Sequence, residues 1–242
     1  MKLKKTFKLI LIIAIFCVTF SIGLTLHNKE EESKTKSSDI DSIKVLFNET
    51  SSTVNKIEVL RKEFDNQEIQ AILSSESIGL NSAVVQSSDN NFYMDHDINK
   101  NHDVVGSLFM DYRNNFDSKK ILIYGHNSET LETDFGKLTK YLNEKFTKEN
   151  PCMYFTTSDG VTKWEIFSVM IVPDNTTAHT KIEFSTVEEL QNHIKWMMEE
   201  SVIKLDVVVT INDQFMTLQT CYYEPSDSFL LINLKKVEDN NE

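Results

Sequence analysis

Phe215-Met216-Thr217-Leu218-Gln219-Thr220-Cys221 is a run of strand-forming residues that ends on a thiol. Upstream, Ile121-Leu122-Ile123-Tyr124-Gly125-His126 is a second short apolar run, and it ends on a histidine. Runs of this length and composition read as buried strands. A thiol and an imidazole, each at the tip of such a strand, form a nucleophile and its proton partner where the fold brings the two tips together.

Outward from these two runs, the chain beyond Gly79 is a series of short β-type segments at 83–86, 104–109, 120–124, 153–157, 163–172, 206–211, 216–220 and 229–234. Eight short strands separated by polar turns predict a closed or nearly closed β-barrel, mainly β with peripheral helices. Ser185-Thr186-Val187-Glu188 has the form of a capping box, and Val187, Leu190, Ile194 and Met197 then make one apolar helix face. Residues 134–146 read as another short helix. From 40 to about 73 the apolar residues Ile43, Leu46, Phe47, Val54, Ile57, Leu60 and Phe64 recur at helical spacings, with a break at Ser51-Ser52-Thr53. Residues 27–39 are polar and read as a flexible stalk. Residues 9–26 carry no charge and follow Lys2, Lys4, Lys5 and Lys8. Such a segment is long enough to span a bilayer, with the lysines holding the N-terminus in the cytoplasm. A cleaved signal peptide is the rival reading, with Ser21-Ile22-Gly23 as the nearest small-residue site, and an uncleaved signal anchor is favoured. The expected organisation is therefore an anchor at 1–26, a stalk at 27–39, a helical segment at 40–79 and the barrel at 80–238.

The composition, 40% hydrophobic and 26% charged, is that of a globular chain. Its formal net charge is −12, and the four lysines of 1–26 leave the remainder more acidic still. Such a domain repels nucleic acid and anionic headgroups, so no nucleic-acid partner is expected. Cys17 lies in the hydrophobic segment, which leaves Cys152 and Cys221 and no disulfide framework. No CxxC or clustered Cys/His spacing points to zinc, and no cofactor or metal is expected. Cys152 reads as a small core residue, and His179 and His193 as solvent-facing.

The segment Gly106-Ser107-Leu108-Phe109-Met110-Asp111-Tyr112-Arg113-Asn114 resembles a stretch of class B sortases, and further matches keep the same order. Asn90-Asn91-Phe92-Tyr93-Met94 precedes it. Tyr124-Gly125-His126-Asn127, Asp134-Phe135-Gly136-Lys137-Leu138, Trp164-Glu165-Ile166-Phe167-Ser168-Val169 and Thr217-Leu218-Gln219-Thr220-Cys221 follow. The resemblance covers roughly residues 80–237. It implies an eight-stranded sortase barrel, held on the outer face of a Gram-positive cell membrane by a single N-terminal helix. It also implies a cysteine transpeptidase that cleaves a C-terminal sorting signal in secreted proteins and passes the acyl group to a cell-wall precursor or protein amine. By similarity, Cys221 is the nucleophile and His126 its histidine.

The third sortase residue is an arginine on the last strand, which donates to the oxyanion and the substrate backbone. No arginine follows Cys221 here, and the chain's two arginines are Arg61 and Arg113. Phe229 stands in the arginine's place, or Leu231 if the loop is shifted by two residues. Lys235 shares the strand face of Phe229 but lies roughly 20 Å away along it. The Thr220 hydroxyl and backbone amides near Tyr222 are the remaining candidates for oxyanion or substrate contacts. Tyr222, Tyr223, Met94 and His96 are candidates for the groove. Two readings follow: an active transpeptidase with a substitute donor, or a catalytically impaired sortase-like binding or accessory protein. A papain-like hydrolase would place the nucleophile ahead of the histidine, the reverse of the order here.

Overall fold

In the computed structural model, which describes residues 56–238, the apolar runs close on themselves. The strands are β1 (Ile69–Ser75), β2 (Leu80–Val85), β3 (Leu108–Met110), β4 (Lys120–Tyr124), β5 (Cys152–Thr157), β6 (Gly160–Pro173), β7 (Phe215–Tyr222) and β8 (Ser228–Lys236). They form a closed barrel in the order β1-β2-β3-β4-β7-β8-β6-β5. The pairs β2/β3 and β4/β7 are parallel and the rest antiparallel. Parallel neighbours need long crossovers, and the one from β4 to β7 contains β5, β6 and a covering helix.

Period-two alternation sorts the side chains of β4, β7 and β8 onto two faces. Ile121, Ile123, Met216, Leu218, Leu230, Ile232 and Leu234 fill the barrel. Phe215 and Leu231 point outward, with Phe229 beside them, into a second cluster beneath the helix α3 (Val187–Glu199). That helix lays Leu190, Ile194 and Met197 on the sheet, whereas Val187 is 57% exposed. Its cap is Thr186, whose side chain accepts from Glu189 N, one residue later than the Ser185–Glu188 spacing predicts. Beneath it, Ser168 Oγ donates to Met197 O at 2.5 Å.

Two strand expectations change places. Residues 69–73, expected within a helical segment, belong to β1, which pairs with β2 and β5. The helix before it, α1 (Lys56–Glu63), stops at Asp65, whose left-handed φ of +45° breaks the helical path. The nearly continuous apolar run that follows is buried on both faces, as a central strand requires. Conversely, residues 206–211 pair with no strand. Their alternation is real: Val207, Val209 and Ile211 pack on the outer cluster while Val208 is 75% exposed. A closed barrel offers no free edge for them to join. The strand expected at 104–109 is confined to β3, because Gly106 turns the chain with φ +58°. The helix expected at 134–146 is a 3₁₀ run, Phe135–Leu142, followed by α2 (Glu144–Glu149), which Asn143 caps by accepting from Phe146 N.

The expected anchor, the stalk and the break at Ser51-Ser52-Thr53 lie outside the described residues. Among the described residues no helix is long and apolar enough to cross a membrane.

Candidate active site

The parallel pairing of β4 and β7 carries Lys120 against Phe215 and, at constant offset, Tyr124 against Gln219. Gly125 N continues the ladder by donating to Gln219 O at 3.1 Å. Extended one step further, this register would bring His126 level with Cys221. By alternation the Cys221 side chain leaves the outer face of the sheet, on the same side as Tyr124, Gln219 and Phe229. The two runs singled out in the sequence therefore end side by side at one rim of the barrel.

Neighbouring groups hold each partner. Asn127 Nδ2 donates to Cys221 O at 3.0 Å, and the Tyr223 hydroxyl donates to Asn127 O at 2.8 Å, bracing the loop after β4 against the end of β7. His126 Nε2 is 2.7 Å from Met94 O. A carbonyl only accepts, so this nitrogen carries the proton and Nδ1 is the nitrogen left for chemistry. The Met94 carbonyl is itself fixed. Tyr93 is buried, with its hydroxyl donating to Glu68 Oε2 and accepting from Asn66 Nδ2, and Ser107 N donates to Tyr93 O. Gly106 passes so close that an added Cβ would sit 2.4 Å from Tyr93 O and 2.6 Å from Met94 O. The Gly106 of the Gly-Ser-Leu-Phe-Met-Asp-Tyr-Arg-Asn motif is thus the residue that lets a carbonyl reach His126.

The electrostatics do not favour the thiolate. Burial pushes the Cys221 thiol up, and the Asp174 carboxylate pushes it further. Phe229, across the strand pair from Cys221, is half-buried and apolar. Leu231 lies opposite Gln219 and is fully buried. Both arginines are engaged elsewhere. Arg61 bonds Ile69 O, Glu58 and Gln70. Arg113 grips Asp111 through Nε and Nη2, each at 2.8 Å, and donates to Thr180 O. Lys235 Nζ donates to Val208 O at the other end of β8.

The remaining sequence candidates divide. Thr220 and Tyr222 alternate to the barrel side of β7, away from the Cys221 side chain; the Thr220 hydroxyl is buried without a hydrogen-bond partner. Tyr223 and Met94 are exposed at the rim, whereas His96 stacks on Phe92 with ring centroids 4.1 Å apart. Cys152 and Cys221 are both free thiols, and Cys152 is half-buried at the start of β5.

The expectation of solvent-facing His179 and His193 is overturned: they are 1% and 8% exposed. The cause is Lys120, a fully buried lysine on the outer face, whose Nζ needs acceptors. It donates to His179 O at 2.7 Å and lies 3.0 Å from His193 Nε2. Burial lowers the lysine to about 7. Burial first, then the Lys120 charge, lowers His179 to about 4 and His193 to about 3, so both imidazoles are neutral at pH 7. Asn127, the Met94 carbonyl, Asp174 and His179 are the contributors that residue-by-residue reading missed. Only Asn127 and Met94 carried a signal, as members of the ordered motifs. Among the described residues, no group of three or more His, Cys, Asp and Glu could hold a metal ion.

No model of a known protein family matches the chain. Individual proteins do. Sortase B of Listeria monocytogenes is 28% identical over 211 residues, which cover 84% of this chain and 82% of that protein. Sortase B of Staphylococcus aureus is 29% identical over 160 residues, 64% of this chain and 64% of that protein. Among solved structures, Clostridium perfringens sortase B aligns with a TM-score of 0.70 at 28% identity, covering 75% of this chain and 99% of that one. Sortase B from Bacillus anthracis aligns with a TM-score of 0.75 at 27% identity, covering 86% and 98%. Along the barrel sequence, and in the closed barrel itself, this chain is similar to class B sortases.

Proposed function

We propose that the chain is a cysteine transpeptidase of the sortase B type that works through a thioester on Cys221. The Cys221 thiolate attacks the carbonyl carbon of the scissile peptide in a sorting signal. As the C–N bond breaks, the His126 imidazolium gives its Nδ1 proton to the departing amine. An incoming amine, from a cell-wall precursor or a protein, then attacks the thioester and loses a proton to His126. Cys221 leaves as thiolate. The Met94 carbonyl on Nε2 keeps the imidazole in the orientation this exchange needs. The oxyanion falls to backbone N–H groups at the end of β7, since no side-chain cation stands opposite Cys221. Losing one oxyanion donor typically costs about 3 kcal/mol, a hundredfold or more in rate, so a slow enzyme is expected. Substrate and acceptor lie outside the membrane, reached by a domain tethered through residues 1–26.

The observation that supports this reading is the β4/β7 register together with the Asn127–Cys221 O hydrogen bond, which bring the loop that carries His126 against the end of β7. The test is to incubate the chain with a library of sorting peptides and an amine acceptor. A peptide thioester on Cys221, detected by mass spectrometry and abolished in Cys221→Ala, is expected. Its absence across the library and across pH 6–9 would refute the proposal.

A further inference from the structure

The connection from β3 to β4 contains the motif Asp111-Tyr112-Arg113-Asn114 and ends on Lys120. It is braced along its length. The buried Asp111 carboxylate accepts from Arg113 Nε and Nη2, from Asn90 Nδ2 at 3.0 Å and from the Tyr124 hydroxyl at 2.9 Å. Asn114, also buried, donates through Nδ2 to Lys120 O and accepts from Leu122 N. Gln86 Nε2 donates to both Asp111 O and Asn114 O. A buried ion pair is a poor way to stabilise a sheet, because an apolar filling often does as well. What this network supplies is a fixed place for Arg113 and Lys120.

Both basic side chains reach the same turn. Ala178–Thr180 is a single helical turn, and the last carbonyls of such a turn have no partner within it. Lys120 Nζ donates to His179 O at 2.7 Å, and Arg113 Nη2 donates to Thr180 O at 3.1 Å. Two successive carbonyls are thus gripped from one connection. The turn in its place bears on the surroundings of the thiol. The His179 ring packs edge-on to Phe229 with centroids 5.5 Å apart and lies against Gln219. Phe229 is the cross-strand partner of Cys221, and Gln219 stands two residues before it. Upstream, the same segment leaves the sheet at Asp174, whose N donates to Asp227 O. Between these ends Asn175, Thr177 and Ala178 face solvent.

We propose that Lys120 and Arg113 are positioning residues for the transfer: together they clamp the Ala178–Thr180 turn, whose His179 ring fixes Phe229 beside Cys221. The clamp sets the shape of the wall against which the substrate is seated. The proposal rests on the transpeptidase reading and deepens it. Neither side chain touches the substrate. They act through His179 and Phe229, so a loosened clamp weakens substrate binding and leaves the Cys221–His126 chemistry as it is.

The test measures KM and kcat for the full chain in detergent, using the library peptide that acylates Cys221 fastest, beside thermal denaturation and amide hydrogen exchange. Lys120→Met keeps the stem and removes the donor, and an apolar replacement for a buried charge is often tolerated. Arg113→Lys cannot hold Asp111 by a fork and reach Thr180 O at once. Each should raise KM about tenfold, the effect of one lost hydrogen bond to a charged group, with kcat within about twofold. Exchange at the Thr180 and Lys181 amides, which close the turn, should quicken while β7 is unchanged. Arg113→Ala should behave like Arg113→Lys, and added methylguanidinium should recover part of its KM, since the Arg113 side chain opens to solvent. If Lys120→Met does not fold, the two Arg113 variants decide. An unchanged KM in the folded variants would overturn the clamp, and so would a fall in kcat that merely follows the loss of thermal stability. A parent chain that turns over while KM and exchange ignore these substitutions keeps the transpeptidase and loses the clamp. A parent chain that forms no thioester loses both.

Discussion

Gly106→Ala probes the orientation of His126 without touching either reacting residue. Gly106 holds φ at +58°, and a methyl there would meet Tyr93 O at 2.4 Å and Met94 O at 2.6 Å, both backbone atoms and both far inside the 3.0 Å that real Cβ contacts respect. The carbonyls must therefore retreat by roughly half an ångström or more, which stretches the 2.7 Å His126–Met94 bond to the edge of hydrogen bonding. A shift of about 1 Å in a catalytic group can cost about a hundredfold, so half that displacement should cost about tenfold in thioester formation. The left-handed backbone adds a stability loss of about 1–2 kcal/mol on its own. Gly79 supplies the control, since its φ is +64° and nothing lies within 4 Å of an added Cβ. Gly79→Ala should lose stability through backbone strain alone and keep its rate. The assay is the initial rate of Cys221 thioester formation, followed by mass spectrometry beside thermal denaturation of both variants. If Gly106→Ala is destabilised but turns over as fast as Gly79→Ala, the Met94 carbonyl does not orient the histidine and that reasoning fails.

Two further outcomes are expected. Phe229→Arg places a guanidinium across the strand pair from Cys221 at a half-buried position, and should raise the rate by about a hundredfold if the oxyanion is short of a donor. Leu231→Arg, buried at 0% exposure, should instead fail to fold; a folded Phe229→Arg with no gain would mean that backbone amides already suffice. Asp174→Asn removes the carboxylate that, after burial, raises the Cys221 thiol. The thiolate should then form at lower pH, with iodoacetamide labelling at pH 8 about two- to threefold faster, a difference that shrinks in 1 M salt because Asp174 faces solvent. An unchanged labelling profile would mean that desolvation alone sets the thiol.

How far the fold was legible depends on which pattern each segment shows. The barrel and its rim site follow from strong local signals: aliphatic runs at 120–124 and 216–220 with a reactive residue one or two positions beyond each. The exchange of β1 for 206–211 shows where such signals stop. Alternation at Val207, Val209 and Ile211 reports that one face is buried, and it is; it carries no information on whether a ladder partner exists. Conversely Ile69, Ala71, Ile72 and Leu73 are buried on both faces of a strand, so they lack alternation and merge with the helical spacing of Ile57, Leu60 and Phe64. Only the left-handed Asp65 separates the two, and an aspartate is too common in loops to announce it.

The site residues beyond Cys221 and His126 were illegible for a different reason. Their roles come from partners distant in sequence. Lys120 opens a strand, where a lysine ordinarily reaches water; in the barrel it points under α3 and takes His179 and His193 inside with it. That single inversion of a charged residue explains both histidine corrections, since a buried ammonium without acceptors would cost several kcal/mol. It also explains why His179 is held over Phe229 and Gln219, because Lys120 holds the backbone carbonyl and leaves the ring to find its own partner. The ring packs edge-on to Phe229 and lies against Gln219. The same residue thus fixes the covering segment over Phe229, the cross-strand partner of Cys221. The departure from the sortase pattern at Phe229 is therefore best judged together with this segment, and not from the last strand alone.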